Sequence, residues 1–346
     1  MYNLWSGKNP FPTLQEMQKI ENAAYTYVHT AIPGEYQFLL GAAIIKYKNK
    51  WYASWGNSLR NENDDNTMLA LETSHDGINW ADYKRLSEKT PGYGRSHGVF
   101  LEHEGRLYAF CPKAKYDKID AYPDLKMEVY RLEEDEKWTL LGIALDDYFW
   151  PMCQPLKLAD GSYVMAGLKT TTSEGAVALC DGKDVTKWEM RTFPNPKGFE
   201  YWGETTVFEQ KGKLIALMRN GGPQGCILVT ESTDGGKTWS DICESDINIV
   251  NSKMYAGTLS DGRSYLVYSA PVGDFDRDTL CILTGKDTFD TAHIVRHGFS
   301  ELPKFWRKNE WCYPYAYEDT DENKLYVVYA KNKEDCELAI IPTYEI

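Results

Sequence analysis

Side chains that could take part in catalysis or in ligand binding recur along this sequence at intervals of roughly 50 residues. Among them are His97, Glu204 and Tyr313, each near the start of a strand-like run. Further aromatic residues, Trp202, Tyr255 and Tyr315, fall in the same runs. These runs are residues 38–41, 95–97, 150–154, 201–204, 251–255 and 311–315. Aromatic faces can stack on a sugar ring while polar groups hydrogen-bond its hydroxyls, so the set predicts a carbohydrate site if the fold brings it together.

The elements that would position these residues are indicated by a hairpin motif. Ser232-Thr-Asp-Gly-Gly-Lys-Thr-Trp239 follows the pattern Ser-x-Asp-x-Gly-x-Thr-Trp, known as an Asp-box, and Ser74-His-Asp-Gly-Ile-Asn-Trp80 is a shorter version. In such a turn the Ser and Asp side chains can bond the backbone, and glycine allows the positive φ that the turn needs. The Trp ring would be buried between neighbouring sheets. Aromatic residues recur in phase with the motif, at Trp80, Trp138, Trp188, Trp239 and Phe289.

A repeat of this length predicts an all-β fold, a six-bladed β-propeller of four-stranded antiparallel blades. Five full periods cover roughly residues 38–295, and residues 311–341 contribute about three more strands. We therefore expect residues 1–346 to form a single propeller domain in which the segment 1–37 contributes the strand that closes the sixth blade. Residues 13–27 are the one stretch that could form a short helix.

Composition excludes several classes of partner. The net charge of −13 disfavours nucleic acid and anionic membrane surfaces. No apolar run is long enough to span a bilayer, and no metal-binding motif or phosphate loop is present, so we expect neither a membrane nor a cofactor. Eight cysteines without a Cys-x-x-Cys pair, together with a start that lacks a secretory leader, predict a cytoplasmic protein. A secreted protein whose leader had been removed would show the same sequence features.

From about residue 38 to its end the chain resembles the sialidase superfamily of BNR repeat propellers. The strongest segment is Gly203-Glu-Thr-Thr-Val-Phe-Glu-Gln-Lys-Gly-Lys-Leu-Ile-Ala-Leu-Met-Arg219, in which a Glu opens one strand and an Arg closes the next. In that family the Glu polarises a tyrosine nucleophile and the Arg belongs to a trio that grips the substrate carboxylate. The resemblance implies these roles for Glu204 and Arg219.

Three further roles are implied by the same resemblance. Arg277 corresponds to another member of the arginine trio, and Tyr313 corresponds to the nucleophile, with Tyr315 as the alternative. Asp64 or Asp65 corresponds to the acid/base residue. A neutral tyrosine with a pKa near 10 is a poor nucleophile at neutral pH, so an adjacent carboxylate must accept its proton. The implied function is an exo-acting glycoside hydrolase that acts on a terminal, acidic sugar of a glycan.

One departure from the family pattern keeps other functions open. The start of the first blade reads Phe38-Leu-Leu-Gly41, where sialidases carry an arginine. A carbohydrate lyase or a His-centred glycosidase acting on a uronate-containing glycan would use His97, with His29 as a further candidate for contact with the substrate. A non-catalytic propeller that binds glycans or proteins through its rim is the third hypothesis.

Overall fold

Six antiparallel sheets follow one another along the chain and form the blades of a β-propeller. The computed structural model describes residues 1–6, 10–62, 66–115, 122–221, 225–273, 277–298, 303–305 and 308–346. The predicted fold class, an all-β six-bladed propeller, is confirmed. Within the described residues the helical element is a 3₁₀ turn at Thr343–Glu345.

Two strands precede the first blade, β1 (Gln18–Lys19) and β2 (Ala24–His29). Blade one contains β3 (Phe38–Tyr47), β4 (Lys50–Ser58), β5 (Met68–Ser74) and β6 (Ala81–Arg85). Blade two contains β7 (Gly94–Arg95), β8 (Val99–His103), β9 (Arg106–Ala114), β10 (Lys126–Leu132) and β11 (Trp138–Leu145). Blade three contains β12 (Phe149–Pro151), β13 (Leu156–Lys157), β14 (Tyr163–Lys169), β15 (Glu174–Cys180) and β16 (Glu189–Thr192).

Blade four contains β17 (Tyr201–Gln210), β18 (Lys213–Asn220), β19 (Gly225–Ser232) and β20 (Cys243–Ile249). Blade five contains β21 (Tyr255–Thr258), β22 (Ser264–Ser269), β23 (Thr279–Gly285) and β24 (Thr291–His297). Blade six contains β25 (Trp311–Asp319), β26 (Lys324–Lys331) and β27 (Asp335–Pro342).

The ring is closed by the N-terminal segment. Strand β2 pairs antiparallel with β27 and so becomes the outer strand of blade six. This pairing covers a sheet edge that would otherwise be open to solvent. Strand β1 adds in parallel to β24 of blade five. The expected helix over residues 13–27 is therefore wrong, because β1 and β2 pair with two blades; a single turn remains at Thr13, whose carbonyl accepts from the Glu16 and Met17 amides.

Five of the six inner strands, all but β21 of blade five, are interrupted near their start, and the interruptions turn side chains toward the mouth of the channel. In blades two and three the inner strand is split into two pieces, β7 with β8 and β12 with β13. In blades one, four and six the register shifts between Leu40 and Ala43, between Trp202 and Thr205, and between Cys312 and Tyr315. A bulge of this kind re-aims a side chain away from the sheet. The interruptions fall in the runs that the sequence repeat singled out.

The Asp-box hairpins lie between the third and fourth strands of their blades. Ser232 Oγ accepts from the Gly236 amide at 2.9 Å, and Asp234 Oδ1 accepts from the Thr238 amide at 2.9 Å. Trp239 Nε1 donates to the Gly236 carbonyl at 2.9 Å, and its ring meets Phe193 edge-on at 4.9 Å. The motif therefore closes the hairpin on itself and packs its ring against the chain from the preceding blade.

Three further observations concern membrane spans, metal ligands and cysteines. Among the described residues, no helix is long and apolar enough to cross a membrane. The same residues hold no group of three or more His, Cys, Asp or Glu side chains arranged for a metal ion. All eight cysteines are described, and each is a free thiol.

Candidate functional site

A small pocket of about 240 Å³ opens where the inner strands begin. Two kinds of surface line it. One surface is formed by Tyr313 and five charged residues, among which Tyr313, Glu204 and Arg219 are hydrogen-bonded to one another and Lys333 is hydrogen-bonded to Glu62; the fifth charged residue is Arg277. Apolar and aromatic residues form the other surface, and most belong to one packed cluster around Tyr122, Trp150, Met152 and Leu168, with Trp202 against it. The pocket can therefore hold a ligand that is charged at one side and apolar at the other.

Tyr313 and Glu204 meet in this pocket. The Tyr313 hydroxyl donates to Glu204 Oε1 at 2.6 Å, and both residues are almost fully buried. Tyr313 adopts a left-handed backbone conformation with φ 56°, which is uncommon for a bulky residue. The bulge in β25 thus holds the phenol out of the sheet and against the carboxylate that β17 presents.

Arg219 completes a triangle with these two groups. It lies on β18 opposite Trp202, and its Nη1 donates to Glu204 Oε2 at 2.6 Å and to the Tyr313 hydroxyl at 3.2 Å. Its Nε donates to the side-chain oxygen of Asn251. Because the guanidinium group contacts both partners, it fixes the distance between the phenol and the carboxylate.

The protonation states of the pair follow from burial and charge. Burial alone would raise the pKa of Glu204, but the charge of Arg219 and the hydrogen bond from Tyr313 hold that pKa below its usual value. Burial raises the pKa of Tyr313 well above its usual value, and the negative charge of Glu204 adds to the effect. At neutral pH the pair is thus a carboxylate beside a neutral phenol, the state in which the carboxylate can accept the phenolic proton.

Arg277 and Lys333 add two more cations beside Tyr313. The guanidinium carbon of Arg277 lies 5.9 Å from the centroid of the Tyr313 ring, and Lys333 Nζ lies 5.7 Å from it. Arg277 donates to Glu310 at 2.7 Å and to the Asn251 carbonyl at 2.6 Å. Lys333 pairs with Glu62 at 3.1 Å. Three cations around one phenol would attract a carboxylate or another anionic group of a ligand.

A family model described as a BNR repeat-like domain matches residues 150–327, about half of the chain. The chain belongs to this BNR repeat-like family. The matched residues include Glu204, Arg219, Arg277 and Tyr313, whereas His97 and Lys333 lie outside them. No curated protein matches the chain significantly.

Solved structures share the fold of this BNR repeat-like chain at low sequence identity. A Dyadobacter fermentans protein of unknown function has a TM-score of 0.72 and 16% identity over 93% of this chain and 100% of that one. A Trypanosoma rangeli sialidase mutant with trans-sialidase activity has a TM-score of 0.65 and 14% identity. The alignment covers 95% of this chain and 60% of the sialidase chain. A Penicillium chrysogenum α-L-arabinanase has a TM-score of 0.64 and 12% identity over 94% of this chain and 100% of that one.

His97 lines the same pocket but differs in chemistry from the charged set. Its ring packs on Trp150 at 5.0 Å and meets Tyr313 edge-on at 6.2 Å, with Nδ1 at 3.1 Å from the Ser96 hydroxyl. A Cβ atom at Gly41 would lie 2.1 Å from the ring, so blade one leaves room for His97 by carrying a glycine there. Burial and the nearby Lys253 charge lower the pKa of His97 to about 3. A neutral ring with so low a pKa suits hydrogen bonding better than proton transfer at neutral pH.

The structure does not bring every candidate to this pocket. His29 lies on β2 in a separate cleft of about 330 Å³, where Nδ1 pairs with Glu72 at 2.8 Å. Tyr255 and Tyr315 pack on each other with ring centroids 4.4 Å apart and planes tilted by 40°; both are buried, and neither lines the pocket. The structure therefore does not place His29, Tyr255 or Tyr315 in the Tyr313 pocket, and their contact with substrate stays a prediction. Asp64 and Asp65 lie outside the described residues.

Sequence reasoning missed Lys333, Glu62 and Tyr122, and one signal could have found them. All three lie in loops that join the second and third strands of a blade. In an antiparallel meander this loop lies at the same end of the blade as the start of the first strand. Residues in these loops are therefore candidates for the mouth of the channel even where no motif marks them.

Proposed function

We propose that this protein is an exo-acting glycoside hydrolase that removes a terminal, acidic sugar from a glycan. Tyr313 acts as the nucleophile, Glu204 accepts its proton, and Arg219, Arg277 and Lys333 bind the anionic group of the sugar. The observation that carries the proposal is the 2.6 Å hydrogen bond from the Tyr313 hydroxyl to a buried, ionised Glu204. The buried Tyr329 also contacts an arginine and a glutamate, Arg296 and Glu337, but of these two tyrosines Tyr313 is the one that lines the pocket.

The choice of an acidic sugar rests on charge. Arg277 and Lys333 approach the Tyr313 ring, and Arg219 reaches its hydroxyl. An anionic nucleophile would be repelled by an anionic substrate, whereas a neutral phenol is not. The pocket thus combines an attractive set of cations with a nucleophile that is uncharged until it reacts.

The exo mode rests on the size and lining of the pocket. At about 240 Å³ it is smaller than the roughly 300–1,000 Å³ typical of pockets for drug-sized ligands. One sugar ring fits such a volume better than a polysaccharide segment does. Trp150 and Trp202 offer apolar surface for the face of that ring.

The reaction assigned to these residues has two displacement steps. Tyr313 Oη forms a bond to the anomeric carbon as its proton moves to Glu204, and the leaving oxygen takes a proton from an acid residue. We assign that acid to Asp64 or Asp65, which follow the pocket residue Glu62 in sequence. Water then attacks the same carbon, the acid residue accepts its proton, and the phenol regains its proton from Glu204.

A panel of nitrophenyl glycosides tests the proposal. We expect release of nitrophenol from one or more acidic sugars, with the matched neutral sugars cleaved far more slowly. Tyr313→Phe should abolish this release while the protein stays folded, and Tyr317→Phe on the same strand serves as the control. An unsaturated sugar product absorbing in the near ultraviolet would instead identify a lyase. Binding without turnover of any glycoside would identify a glycan-binding propeller.

A further inference from the structure

A buried lysine next to the pocket has no part in the reaction just described. Lys253 precedes β21 in blade five and is 2% exposed. Its Nζ donates to the carbonyl oxygen of Pro314 at 2.9 Å. A buried ammonium group is costly unless it is paired, so its retention here calls for a reason.

The acceptor of this hydrogen bond lies in the bulge that carries Tyr313. Pro314 follows Tyr313, and the register of β25 shifts between Cys312 and Tyr315. With a backbone φ of 56°, Tyr313 holds a conformation that surrounding contacts must stabilise. The Lys253 ammonium group joins the inner-strand start of blade five to this bulge in blade six.

The surroundings of Lys253 hold it in one position. Its Nζ lies 5.6 Å from the centroid of the Tyr255 ring and 6.0 Å from that of Tyr315. These two rings pack around the ammonium group and hold it through cation–π attraction.

The charge of Lys253 also acts on the site. It helps to hold the pKa of Glu204 below its usual value and that of His97 below its own. The titratable groups that face Lys253 electrostatically are Glu204, His97, Cys153, Tyr255 and Tyr315. Glu204 is the anion among them at neutral pH, so Lys253 and Glu204 stabilise each other's charged forms.

We propose that Lys253 is a positioning residue for Tyr313: it fixes the Tyr313–Pro314 bulge through its hydrogen bond to the Pro314 carbonyl. This inference rests on the proposed function, since the position of Tyr313 affects a rate only if Tyr313 reacts. Burial lowers the pKa of Lys253 to about 8, although the negative charge of Glu204 opposes part of this decrease. The positive charge is therefore present below about pH 8 and is lost as the pH rises through that value.

This behaviour separates positioning from a merely structural role. A lysine whose pKa is lowered by folding binds its proton less tightly in the folded state than in the unfolded state. Between the folded value near 8 and the unfolded value near 10.4, its contribution to the free energy of unfolding increases as the pH rises. Activity should therefore fall above about pH 8, whereas deprotonation of Lys253 should not lower the free energy of unfolding.

The test compares Lys253→Met and Lys253→Arg with wild type and with Lys331→Met, a matched buried lysine of blade six that donates to Tyr27. For Lys253→Met we expect kcat to fall about 10²-fold, since a displacement of about 1 Å costs that much, with a much smaller change in KM. The variant should stay folded and lose the activity limb near pH 8. Lys253→Arg, which stays charged, should move that limb to higher pH.

A crystal structure of Lys253→Met keeps the inference testable if the protein turns over no glycoside. We expect the Tyr313 bulge to shift and its hydrogen bond to Glu204 to lengthen. Absence of turnover in wild type would overturn the proposed function alone. An unmoved Tyr313 in this variant, or a kcat and pH profile equal to those of wild type, would overturn the assignment of Lys253.

Discussion

The backbone amide of Leu39 donates a 2.8 Å hydrogen bond to the carbonyl oxygen of Lys333. Lys333 therefore leaves the backbone beside the first inner strand, whose residues 38–41 carry no basic group. Its own φ of 54° turns it out of the β26–β27 hairpin, and its ammonium group lines the pocket. The pocket thus has a third cation next to the segment in which an arginine was expected and is missing.

Replacing Lys333 should weaken acidic ligands selectively. A hydrogen bond to a charged group contributes about 1.5–3 kcal/mol, so we expect Lys333→Met to raise the dissociation constant of an acidic monosaccharide about tenfold or more. The neutral counterpart of the same sugar should bind as before. Isothermal titration with both sugars measures the difference.

The control for this change is Lys213→Met at the turn between β17 and β18 of blade four, where the ammonium group pairs with Glu231 of β19. This variant should bind both sugars as wild type does. An equal loss for the acidic and neutral sugars in Lys333→Met would indicate general damage to the pocket and would contradict the assigned role.

Glu204→Gln should remove the proton acceptor and keep the shape of the site. General-base assistance contributes about 10²–10⁴-fold, and we expect kcat to fall within that range. Because the pKa of Glu204 is lowered, its charge and its contribution to stability are present above the usual carboxyl range and are lost only as the pH falls through the lower folded value. The acid limb of the pH–rate profile should accordingly lie below the usual pKa of a glutamate and disappear in the variant.

Glu209→Gln provides a matched comparison, since it alters an exposed carboxylate further along the same strand. Its rate and its acid limb should equal those of wild type. If Glu204→Gln retained the wild-type rate, Glu204 could not be the proton acceptor.

The parts of the fold that could be predicted from sequence are those that repeat. Trp188 and Trp239 recur in phase because each is buried against the preceding blade, Trp188 against Phe110 at 5.4 Å and Trp239 against Phe193 at 4.9 Å. The same phase selected the strand starts that contain Glu204 and Tyr313. Because equivalent turns of different blades must bury an aromatic residue, that residue type recurs at a fixed interval and can be recognised in the sequence.

The parts that escaped prediction depend on positions that do not repeat. His29 was selected for its residue type alone, and it lies on the closing strand beside Glu72, away from the Tyr313 pocket. Lys333 and Glu62 lie in loops whose lengths and residues differ from blade to blade. Only the geometry of the folded ring shows that these two side chains reach the pocket.

Gly41 should tolerate a side chain far less well than Gly34 does. Both have positive φ, 65° and 86°, so alanine at either position carries a backbone cost of about 1–2 kcal/mol. At Gly34 a Cβ atom meets nothing within 4 Å, whereas at Gly41 it would lie 2.1 Å from the His97 ring. Overpacking of this kind adds about 1–3 kcal/mol.

We therefore expect Gly41→Ala to be the less stable of the two variants in urea unfolding, and to weaken ligand binding because His97 must leave its place. Gly34→Ala should bind ligand normally. Equal stability of the two variants would mean that the ring of His97 does not depend on the gap that Gly41 provides.

The Asp-box should affect stability without affecting chemistry. Asp234 accepts hydrogen bonds from the amide and hydroxyl of Thr238, which lower its pKa to about 2. The contribution of Asp234 to the free energy of unfolding is thus present above the usual pKa range of aspartate and is lost as the pH falls through about 2. Because the carboxylate lies at the surface, where solvent weakens such bonds, we expect Asp234→Ala to lower the free energy of unfolding by only about 1 kcal/mol at neutral pH. Thermal unfolding and kcat are measured on this variant, with Asp241→Ala on the same hairpin as control. A fall in kcat at unchanged stability would mean that the Asp-box takes part in the reaction and is not only structural.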